Sequence, residues 1–113
     1  MINVIQNTIG SLARRGSETP SFTGLLDTYS GAAVGYSLRR LSGSYNGDAI
    51  IVRRSSDNVE LAIGFDSNNV LDESALLTHV GAGNDGYVTT WYDQSGNGNN
   101  AIQSADANQP KIV

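Results

Sequence analysis

The sequence predicts a mainly β domain with two short helices. The chain is rich in small residues and poor in charged ones. Gly, Ser and Asn make up 37 of the 113 residues, and only 16% of the residues are charged, against about 25% in a typical soluble domain. Residues 59–65 (VELAIGF) alternate apolar and polar or small side chains with the period of a half-buried strand. This combination is typical of turn-rich β proteins and excludes a coiled coil.

Length and charge exclude further classes. The 113 residues allow one domain, and their longest apolar runs span about four residues, against roughly 20 needed to cross a membrane. The net charge of −4 and pI of about 4.6 disfavour a nucleic-acid binder. The absence of Cys excludes disulfides and thiolate metal sites. The first residues lack the basic and apolar regions of a secretory signal peptide.

Residues 1–24 are predicted to form an extended N-terminal arm. Their apolar residues follow no clean period, and residues 17–24 (SETPSFTG) have a loop composition. Such an arm lacks a core of its own and gains order on a partner. We therefore expect it to anchor the chain through its apolar side chains: Ile2, Val4, Ile5, Ile9, Leu12 and Phe22.

The predicted module spans residues 25–113 and starts with a helix. Ser30 is a suitable N-cap for a helix over 32–41, in which Val34, Leu38 and Leu41 would share one face. Strands follow at 49–54 and 59–65, joined by the turn residues of 55–58.

A second helix, a third strand and the beginning of a fourth strand follow in this leading part of a module. Asp72 is placed to cap a helix over 73–80, which Gly81 would end. Residues 87–93 (YVTTWYD) have the aromatic and β-branched composition of a strand, and a strand begins at 109–113. A complete sandwich needs about seven strands. Either other subunits complete the sheet, or the chain is the front part of a longer protein.

No residue is assigned a catalytic or metal-binding role, and no cofactor is predicted. His79 is the single histidine and cannot form a zinc site without further ligands. No G-x-S-x-G motif presents a nucleophilic serine. Most of the acids lie in predicted loops or caps, so no carboxylate pair of a glycosidase can be assigned.

Residues 91–100 (WYDQSGNGNN) are the segment with the clearest chemical character. Flat aromatic rings and planar amides suit a sugar ring, which stacks and accepts or donates paired hydrogen bonds. The alternatives are a core Trp91 beside a glycine-dependent loop, and a calcium loop that would carry Ser104 where Glu is required. The candidate ligand-binding residues are Trp91, Tyr92, Asp93, Gln94, Asn97 and Asn99.

The same segment, WYDQSGNGNNAIQ, resembles the YDQSGNGN motif of the α-L-arabinofuranosidase B catalytic-domain family. GAAVGYSLRRL, VRRSSDN and ANQPKIV resemble the versions in bacteriophage and bacterial proteins, so the likeness covers 25–113. It implies the leading part of a concanavalin-like β-sandwich. The catalytic carboxylates of the arabinofuranosidases lie downstream of this motif, so no catalytic residue transfers to this chain.

The phage-type versions imply a bacteriophage virion structural protein: a head or tail fibre, an appendage or an adaptor. Residues 1–24 would bind capsid, portal or tail proteins, and the lectin-like module would face outward. We expect a homo-oligomer, commonly a trimer in fibres, that binds a host-surface glycan through many weak sites. Neither a membrane nor a nucleic acid is an expected partner. The alternatives are a glycan-binding or glycoside-cleaving domain, and an assembly protein that acts by strand addition.

Overall fold

The computed structural model describes residues 22–113. Within this range Phe22 is half-buried, and the Arg40 guanidinium carbon lies 5.6 Å from the centroid of its ring. No helix of the described range is both long and apolar enough to cross a bilayer. The other predicted anchoring residues lie outside the described residues: Ile2, Val4, Ile5, Ile9 and Leu12.

One antiparallel sheet organises the described chain. Its strands are β1 (Ile50–Arg54), β2 (Glu60–Ile63), β3 (Gly86–Trp91) and β4 (Ala101–Ile102), in the order β2-β1-β3-β4. The remaining elements are helix α1 (Leu25–Thr28), helix α2 (Glu73–Val80) and a 3₁₀ turn (Asp106–Asn108). The predicted mainly β fold with two short helices is confirmed. A second sheet is not found within residues 22–113, so the sandwich stays a prediction.

The hydrophobic core lies between the sheet and α2. Ile50 and Val52 of β1 are fully buried, and α2 contributes Leu76 and Val80. Their period-2 and helical spacing places these side chains against one another. The His79 ring is also buried, and its Nε2 donates a hydrogen bond to the Val52 carbonyl oxygen at 3.0 Å. His79 therefore has a structural role, which is to connect α2 to β1.

The opposite face of the sheet is covered in part. Arg53 is buried there, with its guanidinium 4.8 Å from the centre of the Tyr87 ring and its Nε donating to Gln109 Oε1 at 2.8 Å. On the same face, by the register of the strands, Ala62 is exposed and Ile102 is 73% exposed. Apolar surface on this face is thus left open.

The segment predicted to begin a strand at 109–113 lies beside β3 and pairs with it through an isolated bridge without forming a strand. Lys111 bridges to Tyr87, and the Val88 amide donates to the Pro110 carbonyl oxygen at 2.8 Å. Residues 110–113 and β4 therefore share the outer edge of β3, with residues 103–109 looping out between them.

The helix predicted at 32–41, with Ser30 as its N-cap, is wrong. The segment is irregular and extended, because its backbone carbonyls and amides bond to side chains of residues 93–99 and to the backbone of residues 69 and 71 instead of to one another. The observed first helix, α1, lies earlier: the Gly24 amide donates to Asp27 Oδ2 and closes its first turn.

The predicted burial of alternate residues in β2 holds only at Ile63. Leu61 is 46% exposed although it lies on the core side. Ile63, opposite Ile50 in the register, is covered, whereas Leu61 lies two residues nearer the β1–β2 turn on this edge strand and is not.

The Asp72 cap of α2 gives a first prediction. Asp72 Oδ1 accepts from the Ala75 amide at 3.0 Å, so Asp72→Ala should lower the free energy of unfolding by about 1 kcal/mol. Urea denaturation would measure it, with Ser74→Ala on the same helix as a control that should change little. A change of less than a few tenths of a kcal/mol in Asp72→Ala would contradict the capping role.

Candidate functional site: the clamp and two grooves

Asp93 lies just after β3, and its carboxylate accepts four hydrogen bonds. Oδ1 accepts from the backbone amides of Gly35 and Ser95, both at 2.8 Å. Oδ2 accepts from the Ser95 hydroxyl at 2.8 Å and the Asn99 amide at 3.0 Å. The residue is 5% exposed, and its carboxylate joins its own loop to a segment nearly sixty residues earlier in the chain.

The hydrogen bonds keep this carboxylate ionised. Burial raises the pKa of Asp93, but the donors of Ser95, Gly35 and Asn99 outweigh it and lower the pKa from 3.8 to about 2. Both oxygens are already saturated by these N–H and O–H donors, so the calcium-loop alternative loses its first ligand. Within residues 22–113 no three His, Asp or Glu side chains are grouped to hold a metal ion.

Gln94, the residue after Asp93, also joins this loop to the earlier segment of the chain. It is 3% exposed; its Oε1 accepts from the Leu41 amide at 2.7 Å. Its Nε2 donates to the carbonyl oxygens of Arg39 at 2.9 Å and Ser37 at 3.2 Å. One amide side chain therefore satisfies three backbone groups that lie outside any helix or sheet.

Three further side chains converge on one backbone carbonyl, that of Ala33. The Asn99 Nδ2 and Asn97 Nδ2 donate to it at 2.9 and 3.1 Å, and the Ser95 hydroxyl, whose proton is directed to Asp93 Oδ2, lies 3.3 Å from it. Asn97 Nδ2 also donates to the Ala32 carbonyl oxygen at 2.9 Å. We call residues 32–41 the strap, and we call the side chains that hold it the clamp: Asp93, Gln94, Ser95, Asn97 and Asn99.

The glycines of the clamp loop have the conformation that the sequence predicted. Gly96 and Gly98 have φ of +91° and +75°, a region that residues with a Cβ rarely occupy. These two positions turn the loop so that alternate side chains, Ser95, Asn97 and Asn99, reach the strap.

Trp91 and Tyr92 are both half-buried. The Trp91 ring packs against the core and meets the Tyr36 ring with a centroid separation of 6.5 Å and a tilt of 43°. Its Nε1 is buried with no hydrogen-bond partner within residues 22–113. The Tyr92 amide donates to the Ala49 carbonyl oxygen at 2.9 Å. Ligand binding by these two residues stays a prediction.

A groove of about 560 Å³, the first groove, lies between α1, the start of the strap and the clamp. Of the predicted ligand-binding residues, Gln94 and Asn97 lie on its wall; Trp91, Tyr92, Asp93 and Asn99 do not. Tyr29, 68% exposed, and Tyr45 supply its aromatic surface.

A second groove of about 360 Å³ adjoins the first at Tyr45. Its wall includes Asn46, Asp48, Asp66 and Arg40. Sequence analysis missed Tyr29 and Tyr45, because each is an isolated aromatic residue in a predicted loop or helix boundary and only the tertiary fold brings them to neighbouring positions.

Asp27 is the carboxylate on the wall of the first groove. The backbone amides of Gly24 and Gly43 and the Ser42 hydroxyl donate to it at 2.7–2.8 Å. These hydrogen bonds, that from Gly24 first, lower the pKa of Asp27 below its usual 3.8. Asp27 is therefore held as an anion that fixes α1 to residues 42–43.

The model of the family described as alpha-L-arabinofuranosidase B, catalytic, matches residues 26–112, which include the strap, the clamp and all four strands. The chain belongs to the alpha-L-arabinofuranosidase B catalytic-domain family. The resemblance drawn from the YDQSGNGN segment is thereby confirmed. No curated protein and no solved structure matches the chain.

In this member of the alpha-L-arabinofuranosidase B family, the residues of the family motif hold neighbouring backbone segments in place. Its polar residues bond mainly to backbone atoms of the strap and of their own loop. The motif therefore specifies a local fold, and the first groove is a consequence of that fold, since the clamp and the start of the strap form its walls.

Proposed function

We propose that the chain is a structural protein of a bacteriophage particle: a head or tail fibre, an appendage or an adaptor. In this role residues 1–24 bind other virion proteins, and the family module faces outward as a lectin-like, non-catalytic domain. The observation that carries the proposal is the clamp. The side chains of the family motif are engaged in holding the strap, so in this chain the motif builds a scaffold. The phage-type resemblance of residues 25–113 supports the virion setting.

The carboxylates nearest the first groove are unsuited to act as the general acid of glycoside cleavage. A glycosidase needs one carboxyl group that is protonated at working pH, usually because its pKa is raised. The pKa values of Asp27 and Asp93 are both lowered by hydrogen bonds to the charged form. This favours a recognition or structural role over a hydrolytic one.

The incomplete cover of the sheet supports assembly with other polypeptides. Ile102 on the open face is 73% exposed, and Val59 and Leu61 at the β2 edge are each 46% exposed. Exposed edges and apolar surface promote association with further chain. In a homo-oligomer, neighbouring copies would cover these positions and would repeat the outward module, so that weak glycan binding gains avidity.

Mass spectrometry of purified particles tests the proposal directly. Particles of the phage whose genome carries this reading frame would be purified by density gradient, washed in detergent-free buffer, dissociated and digested with trypsin. We expect peptides of the chain in a fixed ratio to the major capsid protein. Their confinement to the soluble fraction of the lysate, with none on the particles, would refute a virion role.

The second candidate is a glycan-binding or glycoside-cleaving domain that acts outside a particle. Family membership and the groove beside the clamp favour it. Incubation with a chromogenic arabinofuranoside separates the two chemistries. Release of the chromophore above a buffer blank would establish hydrolysis and contradict the non-catalytic proposal; no release above the blank supports it.

A further inference from the structure

We propose that Asn46–Gly47 is a site of covalent modification, at which the Asn46 side chain cyclises onto the Gly47 backbone nitrogen and reopens as aspartate or isoaspartate. The sequence contains two Asn–Gly pairs, Asn46–Gly47 and Asn97–Gly98. The fold leaves the first pair free to react and protects the second. This inference concerns the loop that precedes β1 and does not depend on the proposed virion role.

The reaction needs the groups of an Asn–Gly pair and water. The glycine nitrogen loses its proton and attacks the asparagine Cγ, so that a C–N bond forms, the Cγ–Nδ2 bond breaks and ammonia leaves. Water then adds to either carbonyl of the five-membered succinimide. One opening gives aspartate, and the other gives isoaspartate, in which the backbone runs through the side chain. Glycine favours the attack because it has no Cβ to crowd the approach.

The first pair is open to this reaction. Asn46 and Gly47 are both exposed and lie outside any helix or strand. Within residues 22–113 neither the Asn46 side chain nor the Gly47 amide has a hydrogen-bond partner. The carboxamide can therefore turn towards the glycine nitrogen without breaking a bond in this part of the chain, and water can reach the succinimide.

The second pair is equally exposed but is held by the clamp. Asn97 Nδ2 donates to the carbonyl oxygens of Ala32 and Ala33 at 2.9 and 3.1 Å. This nitrogen is the leaving group of the reaction, so cyclisation would have to break both bonds to the strap. Because the two pairs share their residue types and their exposure, hydrogen bonding is what separates them.

The fold explains why a glycine follows Asn46. A Cβ at position 47 would lie 2.5 Å from the hydroxyl oxygen of Tyr45. That hydroxyl donates to the Asp48 carbonyl oxygen at 2.7 Å and so closes the loop across the Asn46–Gly47 junction. Any larger residue would have to displace the tyrosine hydroxyl. The packing of Tyr45 thus requires the residue that makes Asn46 reactive.

Modification would change the charge and the backbone of the second groove. Asn46, Asp48 and Asp66 line its wall, so the product would place a new carboxylate beside two existing ones. Isoaspartate would also add a methylene group to the backbone within the loop that the Tyr45 hydroxyl closes. We therefore expect a more acidic form of the chain to accumulate with time.

Peptide mass spectrometry of the folded 113-residue chain tests this inference. The chain would be incubated at mildly alkaline pH in water enriched in heavy oxygen, and the modified fraction at each site would be followed over time. The tryptic peptide 41–53 carries Asn46, and chymotryptic cleavage after Tyr92 releases the segment with Asn97. Electron-transfer fragmentation distinguishes isoaspartate from aspartate.

We expect Asn46 to react about tenfold faster than Asn97 or more, because the hydrogen bonds of Asn97 must first be broken. In the urea-denatured chain both pairs are released, so their rates should converge. Asn46→Gln should nearly abolish modification at this site, since the longer side chain would have to close a six-membered ring. Position 46 is exposed, so this variant should keep the fold.

Equal rates at Asn46 and Asn97 in the folded chain, or a faster reaction at Asn97, would overturn the inference. An Asn97 rate that is the same with and without urea would also contradict it, because the clamp would then give no protection. Neither result bears on the presence of the chain in particles.

Discussion

Replacement of Asp93 by asparagine is expected to lower the free energy of unfolding by about 3 kcal/mol. Hydrogen bonds to a charged acceptor contribute about 1.5–3 kcal/mol each, and unsatisfied buried groups cost about 1–3 kcal/mol. The new amide side chain would keep the volume, but its NH₂ group would face the donors that Oδ1 or Oδ2 now accepts: the Gly35 and Ser95 amides, or the Ser95 hydroxyl and the Asn99 amide. Urea denaturation at pH 7 measures the loss.

Asp106→Asn provides the matched control for Asp93→Asn. Asp106 has a side chain that is 63% exposed and a single ion pair with Arg53 at 3.5 Å. Although Arg53 is buried, solvent around the exposed Asp106 carboxylate screens this 3.5 Å pair, which should contribute about 1 kcal/mol or less, so this variant should stay close to the parent. Equal effects of the two substitutions would show that the clamp carboxylate has no special role.

The same carboxylate gives the difference between parent and Asp93→Asn a pH dependence. The pKa of Asp93 in the folded chain, about 2, lies below the usual 3.8. Its contribution to stability is therefore fully present above the usual pKa and is lost as the pH falls from about 4 towards 2. The stability gap between parent and variant should narrow over that window. A gap that widens with acid would contradict the assignment.

Gln94→Ala is the second large effect. The substitution removes the partner of the Leu41 amide and of the Ser37 and Arg39 carbonyls. It also opens a space at a position that is 3% exposed. We expect a loss of about 2–3 kcal/mol in the free energy of unfolding, because several backbone groups lose their partners together.

Gln103→Ala is the control for Gln94→Ala. Its Oε1 accepts one bond, from the Ala105 amide at 2.9 Å, in the loop outside β4, so about 1 kcal/mol or less is expected. Thermal or urea unfolding of both variants would rank them. A Gln94→Ala protein as stable as the parent would mean that the strap does not depend on this side chain.

Local pattern predicted the elements whose hydrogen bonds are local. The helix at Glu73–Val80 was predicted with its observed bounds, since Asp72 and Gly81 mark its ends. The hairpin of β1 and β2 was found by alternation, with its ends displaced by one or two residues. The four residues of α1 and the two of β4 carry too short a pattern to be recognised, whereas the four residues of β2 lie within the longer alternation of 59–65.

The strap could not be predicted from its own residues. Val34, Leu38 and Leu41 have helical spacing, yet their segment is held open by side chains about sixty positions later in the chain. Tertiary hydrogen bonds overrode local propensity there. The sequence marks residues 91–100 as a distinctive motif. It does not show that Asp93 and Gln94 hold the strap, because their partners are distant in the chain and are brought near only by the tertiary fold.

Native-state hydrogen exchange tests the central claim, that residues 93–99 clamp the strap to the end of the sheet, most directly. The amides of Gly35, Leu41 and Asn99 each donate to a clamp side chain. We predict slow exchange at all three in the parent, and at Gly35 and Asn99 a marked acceleration in Asp93→Asn. Exchange at unfolded-chain rates in the parent, while the Val52 amide of β1 stays protected, would contradict the claim.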